Sequence, residues 1–588
     1  MGRAGVFRFS LFGASSLGLV IAFSSACGSG RGSGFDDEAQ DAAASDLDGG
    51  GTFNPDPFGE GGANPQLPEG ETRDPVNCEE AKNSKSYVGC DYWPTVTANI
   101  VWSIFDFAAV VANTGTQEAE ITVTGPSNTN KKVKVPAGEL KKIYLPWVPE
   151  LKGTDTNECG QAVSFNASVL AQSGAFHLVS TTPVIVYQFN ALEYKGAGGE
   201  NPDGTAKDWA TCPGTAQKCQ QPGAPPQSIG CFSFSNDASL LLPSTAMTNN
   251  YRVIGQHGWS EQQGLFGGET AILGPTLTIT ATQPQTEVTV TLSQTAKVLA
   301  GGPIAATNGG GTIKFTLANA GDVVELAGDK GKNVDFSGSL VQGNKPLQVI
   351  SALPCINLPQ GKGSCDHVEE SVLPAETLGK HYAVVPPTGA KTGQAVKHNV
   401  RFYGNKDGTT LTYQPSKPAG CPATLKAGEV VDCGLVTEAF DVTGNNEFAV
   451  STFLLGVAEL YPGGLLSPPS DLRGDPSGSI YAAIEQFRTK YVFLAPDDYS
   501  VSFADITGTE DADITLDGQP VKTTWEKIGN TGLGVYRVKL GAGQGGAHVL
   551  TSKKPVGVQV LGYGDNTSYQ YPAGLNLKLL APPPPPPK

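Results

Sequence analysis

Charge is what this chain has least of. Asp, Glu, Lys and Arg supply 16% of its 588 residues, where an ordinary soluble domain carries roughly 25%. The charge present is mostly acidic, for a net −16. No run of lysine and arginine interrupts it, which excludes a nucleic-acid partner whose phosphates would be repelled. Long apolar runs are missing as well: Phe9 to Phe23 is too short for a comfortable membrane span. Histidine is rare, six in all, and the paired Cys-x-x-Cys or His spacing of a zinc site does not occur. Nor is there a Gly-x-Ser-x-Gly elbow, a His-Glu-x-x-His helix or a Gly-x-x-x-x-Gly-Lys phosphate loop. These absences leave no catalytic, cofactor-binding or metal residue to assign, and a non-enzyme is expected.

Glycine (74) and proline (43) are abundant instead, alongside Thr and Val, the profile of a turn-dense all-β chain. Its length calls for several domains. One sentence recurs. Phe176-His177-Leu178-Val179-Ser180-Thr181-Thr182-Pro183-Val184-Ile185-Val186-Tyr187 reappears as Ala547-His548-Val549-Leu550-Thr551-Ser552-Lys553-Lys554-Pro555-Val556-Gly557-Val558-Gln559-Val560. Looser copies run from Phe336 through Pro346 to Ile350 and from Phe448 through Ser451 to Leu460, where Leu454 stands in for the proline. Each reads as a strand, a tight polar turn and a second strand. Upstream of each lies Ala137-Gly138-Glu139, Ala320-Gly321-Asp322, Ala427-Gly428-Glu429 or Ala542-Gly543-Gln544. Two markers in the same order four times predict one β module used four times. A lead strand recurs as Tyr-x-Val at Tyr251 and Tyr382 and as Tyr491-Val492-Phe493 in the last module, its ring expected in the core. Six or seven strands per roughly a hundred residues suit tandem Ig-like β-sandwich modules; a β-propeller, with about half that length per blade, is second.

In order, the expected organisation is a signal peptide over 1–26, a disordered acidic and Gly/Pro-rich tether over 27–77, and β modules over 78–235, 236–370, 371–470 and 471–580. A proline-rich tail over 581–588 ends the chain. Arg3 and Arg8, the apolar run and the small residues before Cys27 resemble a bacterial lipoprotein signal, which implies acylation of Cys27 and a membrane partner through that anchor. Ser24 departs from the Leu usual three places before the cysteine, so ordinary signal cleavage stays open. Removing Cys27 leaves ten cysteines, an even set suited to export. Spacing suggests Cys78 with Cys90, Cys355 with Cys365 and Cys421 with Cys433. Cys159, Cys212, Cys219 and Cys231 form two more bridges in an order the sequence leaves open.

The Tyr-x-Val strand, the Ser-x-x-Pro-Val unit, Cys90-Asp91-Tyr92-Trp93-Pro94-Thr95 and the terminal Gly562-Tyr563…Ser568-Tyr569-Gln570-Tyr571-Pro572-Ala573-Gly574 together resemble the IgGFc-binding protein N-terminal domain family. The resemblance covers about Cys78 to Gly574 and extends to bacterial members that look like exported, lipid-anchored surface proteins. It implies adhesion or surface recognition of a protein or glycan, on an outer membrane or cell surface, and it carries over no ligand-contacting residue.

Individual residues add little chemistry. His177 and His548 sit at matching places, which points to packing or hydrogen bonding. Cys365-Asp366-His367 with Glu369 and Glu370 is the densest polar cluster, read as a bridged loop with solvated charges. His257 and Trp259, in a Gly-rich loop, are candidate recognition residues. Arg473-Gly474-Asp475 is expected as an exposed turn. A polysaccharide hydrolase would need two carboxyls converging across a cleft, and a purely structural envelope spacer is the remaining alternative.

Overall fold

Period-two alternation, as in Thr286–Thr291 and Thr312–Leu317, puts one face of each strand in a core and the other in water. The computed structural model describes residues 74–219, 225–262, 269–361, 365–461, 473–541, 546–565 and 567–584. The signal peptide, Cys27, most of the tether, the marker at 542–544 and the end of the proline run lie outside the described residues. What is described is all-β, built of two-sheet sandwiches.

Repeat one defines the plan. It uses β1 (Gly89–Tyr92), β2 (Phe107–Ala112), β3 (Ala119–Gly125), β4 (Thr129–Val135), β5 (Leu140–Leu145), a long strand His177–Asn190 and an inner strand Ala238–Leu240. The long strand belongs to both sheets. Its first half pairs with β1 and β3, and β4 continues that sheet beyond β3. Its second half pairs with β2 and the inner strand, and β5 lies beyond β2. The other three repeats have the same neighbour order, with inner strands Asp366–Ser371, Gly478–Ile480 and Thr567–Pro572.

The expected hairpins are therefore single crossing strands. At Ser180–Pro183 the chain leaves one sheet for the other, and β1 slips register from Gly89↔Val184 to Asp91↔Val179. The last repeat slips in the same place, from Arg488↔Val556 to Lys490↔Thr551. Proline has no N–H to give a ladder, so it is tolerated where pairing is already interrupted by a bulge. In repeat two the crossing breaks the strand into Leu340–Gly343 and Leu347–Ile356. In repeat three it breaks into Phe440–Gly444 and Phe448–Phe453. Glu447, not Leu454, thus holds the place of the proline.

The lead-strand tyrosine locks each crossing. Its buried hydroxyl donates to the carbonyl of the first residue past the crossing. The pairs are Tyr92 to Val184 (2.7 Å), Tyr251 to Leu347 (2.5 Å), Tyr382 to Phe448 (2.6 Å) and Tyr491 to Val556. A core ring explains the sequence pattern only in part; the hydroxyl supplies an acceptor's missing partner in the crossing. The Ala-Gly-acid marker is equally mechanical. Gly138, Gly321 and Gly428 take φ of 74°, 84° and 76°, a region that favours glycine. Each glycine N–H donates to the carbonyl of Asn113, Ala281 or Gly404, which ends the strand beside it.

The four repeats close into a ring. In each, the segment after the lead strand packs on the following repeat. Ala98 N–H donates to Glu325 Oε1 at 3.0 Å, and Tyr403 Oη donates to the Gly255 carbonyl at 2.7 Å. Thr388 N–H donates to Asp505 Oδ2 at 2.9 Å. Repeat four returns to repeat one: Tyr187 Oη donates to the carbonyls of Val492 and Ala573 (2.7 and 2.9 Å), and Lys142 pairs with Asp497 at 3.3 Å. The inner strands meet around the centre in the cyclic order of the repeats. Sandwiches take the place of blades in a propeller-like arrangement.

The acidic hub as candidate functional site

The centre of the ring is polar. Asp237 sits one residue before the first inner strand and is wholly buried. Its Oδ2 accepts the N–H groups of Glu369 and Gly478, both at 3.1 Å. Its Oδ1 accepts Ala238 N–H (2.9 Å), Ser477 Oγ–H (3.0 Å) and Gln570 N–H (3.4 Å). One carboxyl thus gathers main-chain donors from all four repeats. Asp366 works similarly at one side, taking Asn236 N–H (2.7 Å), His367 N–H (2.9 Å), Thr567 Oγ–H (2.9 Å) and Ser568 N–H (3.0 Å). Glu369 accepts from Gln188, Ser239, Thr97 and Asn190 at 2.8–3.2 Å.

Burial sets the electrostatics. It pushes Asp237, Asp366 and Glu370 well above the usual carboxylate range, against the pull of backbone N–H groups. It raises Glu325 and Asp475 to about 8. No lysine or arginine pairs with these five among the described residues; a retained proton lets Glu325, Glu370 and Asp475 stay buried, while donors on both oxygens surround Asp237 and Asp366. Glu370 Oε2, Asp475 Oδ1 and Glu325 Oε2 have no hydrogen-bond partner. A cavity at the seam of repeats two and three is lined by Gly255, Gln256, Glu369, Glu370, Ser451 and Ser479 among others, and it is large enough for about one water. Chemically the hub is a cross-brace: it holds strand ends of the four repeats together.

Several expectations change here. Asp366, His367 and Glu369 are at most 2% exposed, so the core of the cluster read as solvated charge is buried. It was misread because Cys365 and its bridge suggested a loop, whereas Asp366–Ser371 is an inner strand. Asp475 is 1% exposed and Arg473 pairs with Asp565 at 3.4 Å, so the tripeptide is not an exposed turn. His257 is half-buried and Trp259 buried. Trp259 is 7% exposed in a core with Leu273 and Leu353, and His257 Nδ1 meets Gln360 Nε2 at 2.8 Å, with burial lowering its pKa. His177 and His548 each meet an aspartate, Asp91 (2.7 Å) and Asp517 (2.8 Å), and stack on Trp93 and Phe493. Sequence reasoning missed Asp237 altogether. Its signal was small polar residues, Asn236-Asp237-Ala238-Ser239, where a strand of this family of repeats returns to the centre.

The ten cysteines form five bridges: Cys78–Cys90, Cys159–Cys219, Cys212–Cys231, Cys355–Cys365 and Cys421–Cys433. The order left open by spacing is thus crossed, 159 with 219 and 212 with 231. Such bridges form in oxidising compartments. No helix among the described residues is long and apolar enough to cross a membrane, and no group of three or more His, Cys, Asp or Glu side chains there could hold a metal ion.

Known proteins are similar to parts of the chain. The human IgGFc-binding protein is 24% identical over 253 residues, 42% of this chain; the chain spans 4% of that protein's length. A tetra-tandem repeat from the extending region of a large adhesion protein, aligned over 82% of this chain and 98% of its own, is 12% identical with a TM-score of 0.08, too low to carry any argument about fold. The family model described as IgGFc binding protein matches residues 237–562, from the hub aspartate to the last crossing strand. That is more than half of the chain, and the chain belongs to this family.

Proposed function

We propose that the chain is a non-enzymatic recognition protein that works outside the cytoplasm and binds a protein or glycan through loops at the rim of its ring. The match to the IgGFc binding protein family over residues 237–562 carries this reading. The hub supports it: the carboxylates that a hydrolase would need in a cleft are instead consumed in bracing four sandwiches. A closed ring of sandwiches braced at its centre is a platform for display, since loops on a fixed scaffold are where recognition residues sit. Acylation at Cys27, with the acidic stretch as spacer, would hold that platform on a membrane, in keeping with the lipoprotein-like signal and the bridges.

The direct test is a binding screen of the exported chain against immunoglobulin Fc, envelope proteins and a glycan array, read by surface plasmon resonance. Saturable binding of one class supports the reading. Turnover of a polysaccharide in the same screen would overturn it. For the anchor, Cys27→Ala is expected to release the protein from the membrane fraction; unchanged retention would count against lipidation.

A further inference from the structure

Three titratable side chains in repeat one stand apart from the hub. Lys207, on the cysteine-bridged insertion, has a side chain only 1% exposed. Its Nζ lies 3.0 Å from Asp106 Oδ2 and 3.3 Å from Glu193 Oε1, both on side chains 6% exposed. The carboxyls are fixed by main chain: Asp106 N–H donates to Glu193 Oε2 at 2.9 Å, and Leu192 N–H donates to the Asp106 carbonyl at 2.9 Å. Aromatic rings close the site. Trp209 lies 4.9 Å from the ammonium, and Phe105 packs on Trp209 at 5.2 Å. Burial, with Glu193 adding to it and Lys207 opposing, raises Asp106 to about 7.

This is more than an ion pair requires. Lys152, the comparable buried lysine, has one acid, Asp155, itself 38% exposed, and donates to the carbonyls of Asn99 and Val101. Lys207 also donates to one carbonyl, that of Ile104, but it meets two enclosed acids. One can keep a proton and so be attacked; the other can take the proton from the ammonium. A dry, oriented site of this kind favours condensation, because proximity replaces a bimolecular encounter and water is kept out.

We propose that Lys207 and Asp106 join in a spontaneous isopeptide bond, with Glu193 as the proton relay. The Glu193 carboxylate takes one proton from the Lys207 ammonium. The freed Nζ lone pair attacks Cγ of protonated Asp106, forming the C–N bond. Glu193 returns its proton to the Asp106 hydroxyl, the C–O bond breaks and water leaves. Glu193 then takes the second proton from nitrogen and ends neutral, so an ion pair beside an acid becomes an amide beside an acid. The bond ties the insertion to the start of β2, covalently and beyond the reach of reductants that open its two disulfides.

Intact mass spectrometry of the exported chain, reduced and denatured, tests this. The expected mass is one water below that of the linear reduced polypeptide, and proteolysis yields a branched peptide joining Asp106 to Lys207. Lys207→Arg and Asp106→Ala restore the linear mass. Glu193→Gln, which keeps an acceptor for the Asp106 N–H, is expected to fold, as judged by circular dichroism, with the linear mass. A wild-type chain of full linear mass with no branched peptide overturns the proposal, whatever the variants do. A Glu193→Gln chain still lighter by one water removes Glu193 from it.

Discussion

Two seams of the ring solve one problem in opposite ways. Between repeats two and three the buried charge is an ion pair. Arg401, 4% exposed, pairs with Asp335 and lies 3.6 Å from Asp432, while its Nη1 donates to the Gly255 carbonyl. Between repeats one and two no lysine or arginine pairs with a carboxyl among the described residues. Glu325 and Glu369 face Thr97, Ala98 and His367, and burial raises Glu325 to about 8. Asp335 is buried too, yet Arg401 and Ser337 hold it below its usual value. A carboxyl in a dry seam either finds a cation or keeps its proton, and the choice fixes which side of neutrality weakens the seam.

The largest effect should come from removing the cation. Arg401→Ala strands Asp335 without a counter-charge and is expected to cost about 4 kcal/mol in equilibrium denaturation. A loss below about 1 kcal/mol would mean that the seam reorganises and that the contrast is superficial. Asp237→Ala comes next. It strips acceptors from Glu369, Gly478 and Gln570 N–H at once, and about 3 kcal/mol is expected if two or three of those donors stay dry. Because this carboxyl touches every repeat, its loss should loosen all seams together, read as hydrogen exchange rising in all four inner strands. Exchange confined to one repeat would show that the hub is not shared.

How much of this was written in the sequence depends on what each residue must satisfy. The strands were legible because Val288, Val290 and Val123 must alternate to reach a core, and the repeat because the marker glycines Gly138, Gly321 and Gly428 take positive φ. The crossing strands were not. Ser-x-x-Pro between two apolar runs has the same local chemistry in a turn as in a bulge, and only the register with Gly89 and Asp91 separates them. The hub was hidden for a related reason. Asp366 and Glu369 look like surface residues until distant donors from Asn236, Thr567 and Gln188 converge on them, and burial of charge is a tertiary fact that no local pattern carries.

The pH dependence of stability sharpens the contrast further. Glu325 and Asp475 have folded pKa values of about 8, above unfolded values near 4. Their contribution is complete below about pH 4 and is lost as pH rises through about 8. Asp335 runs the other way: its pKa is lowered on folding, so its contribution is present above the unfolded value and lost as pH falls below it. The ring should therefore melt several degrees lower at pH 8 than at pH 5.5, and calorimetry that finds the reverse would reject protonated seams.

The smallest effect belongs to Glu325→Gln. The amide keeps an oxygen for Ala98 N–H and carries no charge, so at pH 5.5, where the native carboxyl is already neutral, the change should stay within about 1 kcal/mol. At pH 8 the variant should be the more stable of the two, because it has no proton to lose. Arg401→Met, similar in length and uncharged, cannot make the matching exchange while Asp335 remains. It should be destabilised at both pH values, and more at pH 8. If instead the two variants respond alike, the distinction between a seam held by a cation and a seam held by a proton fails.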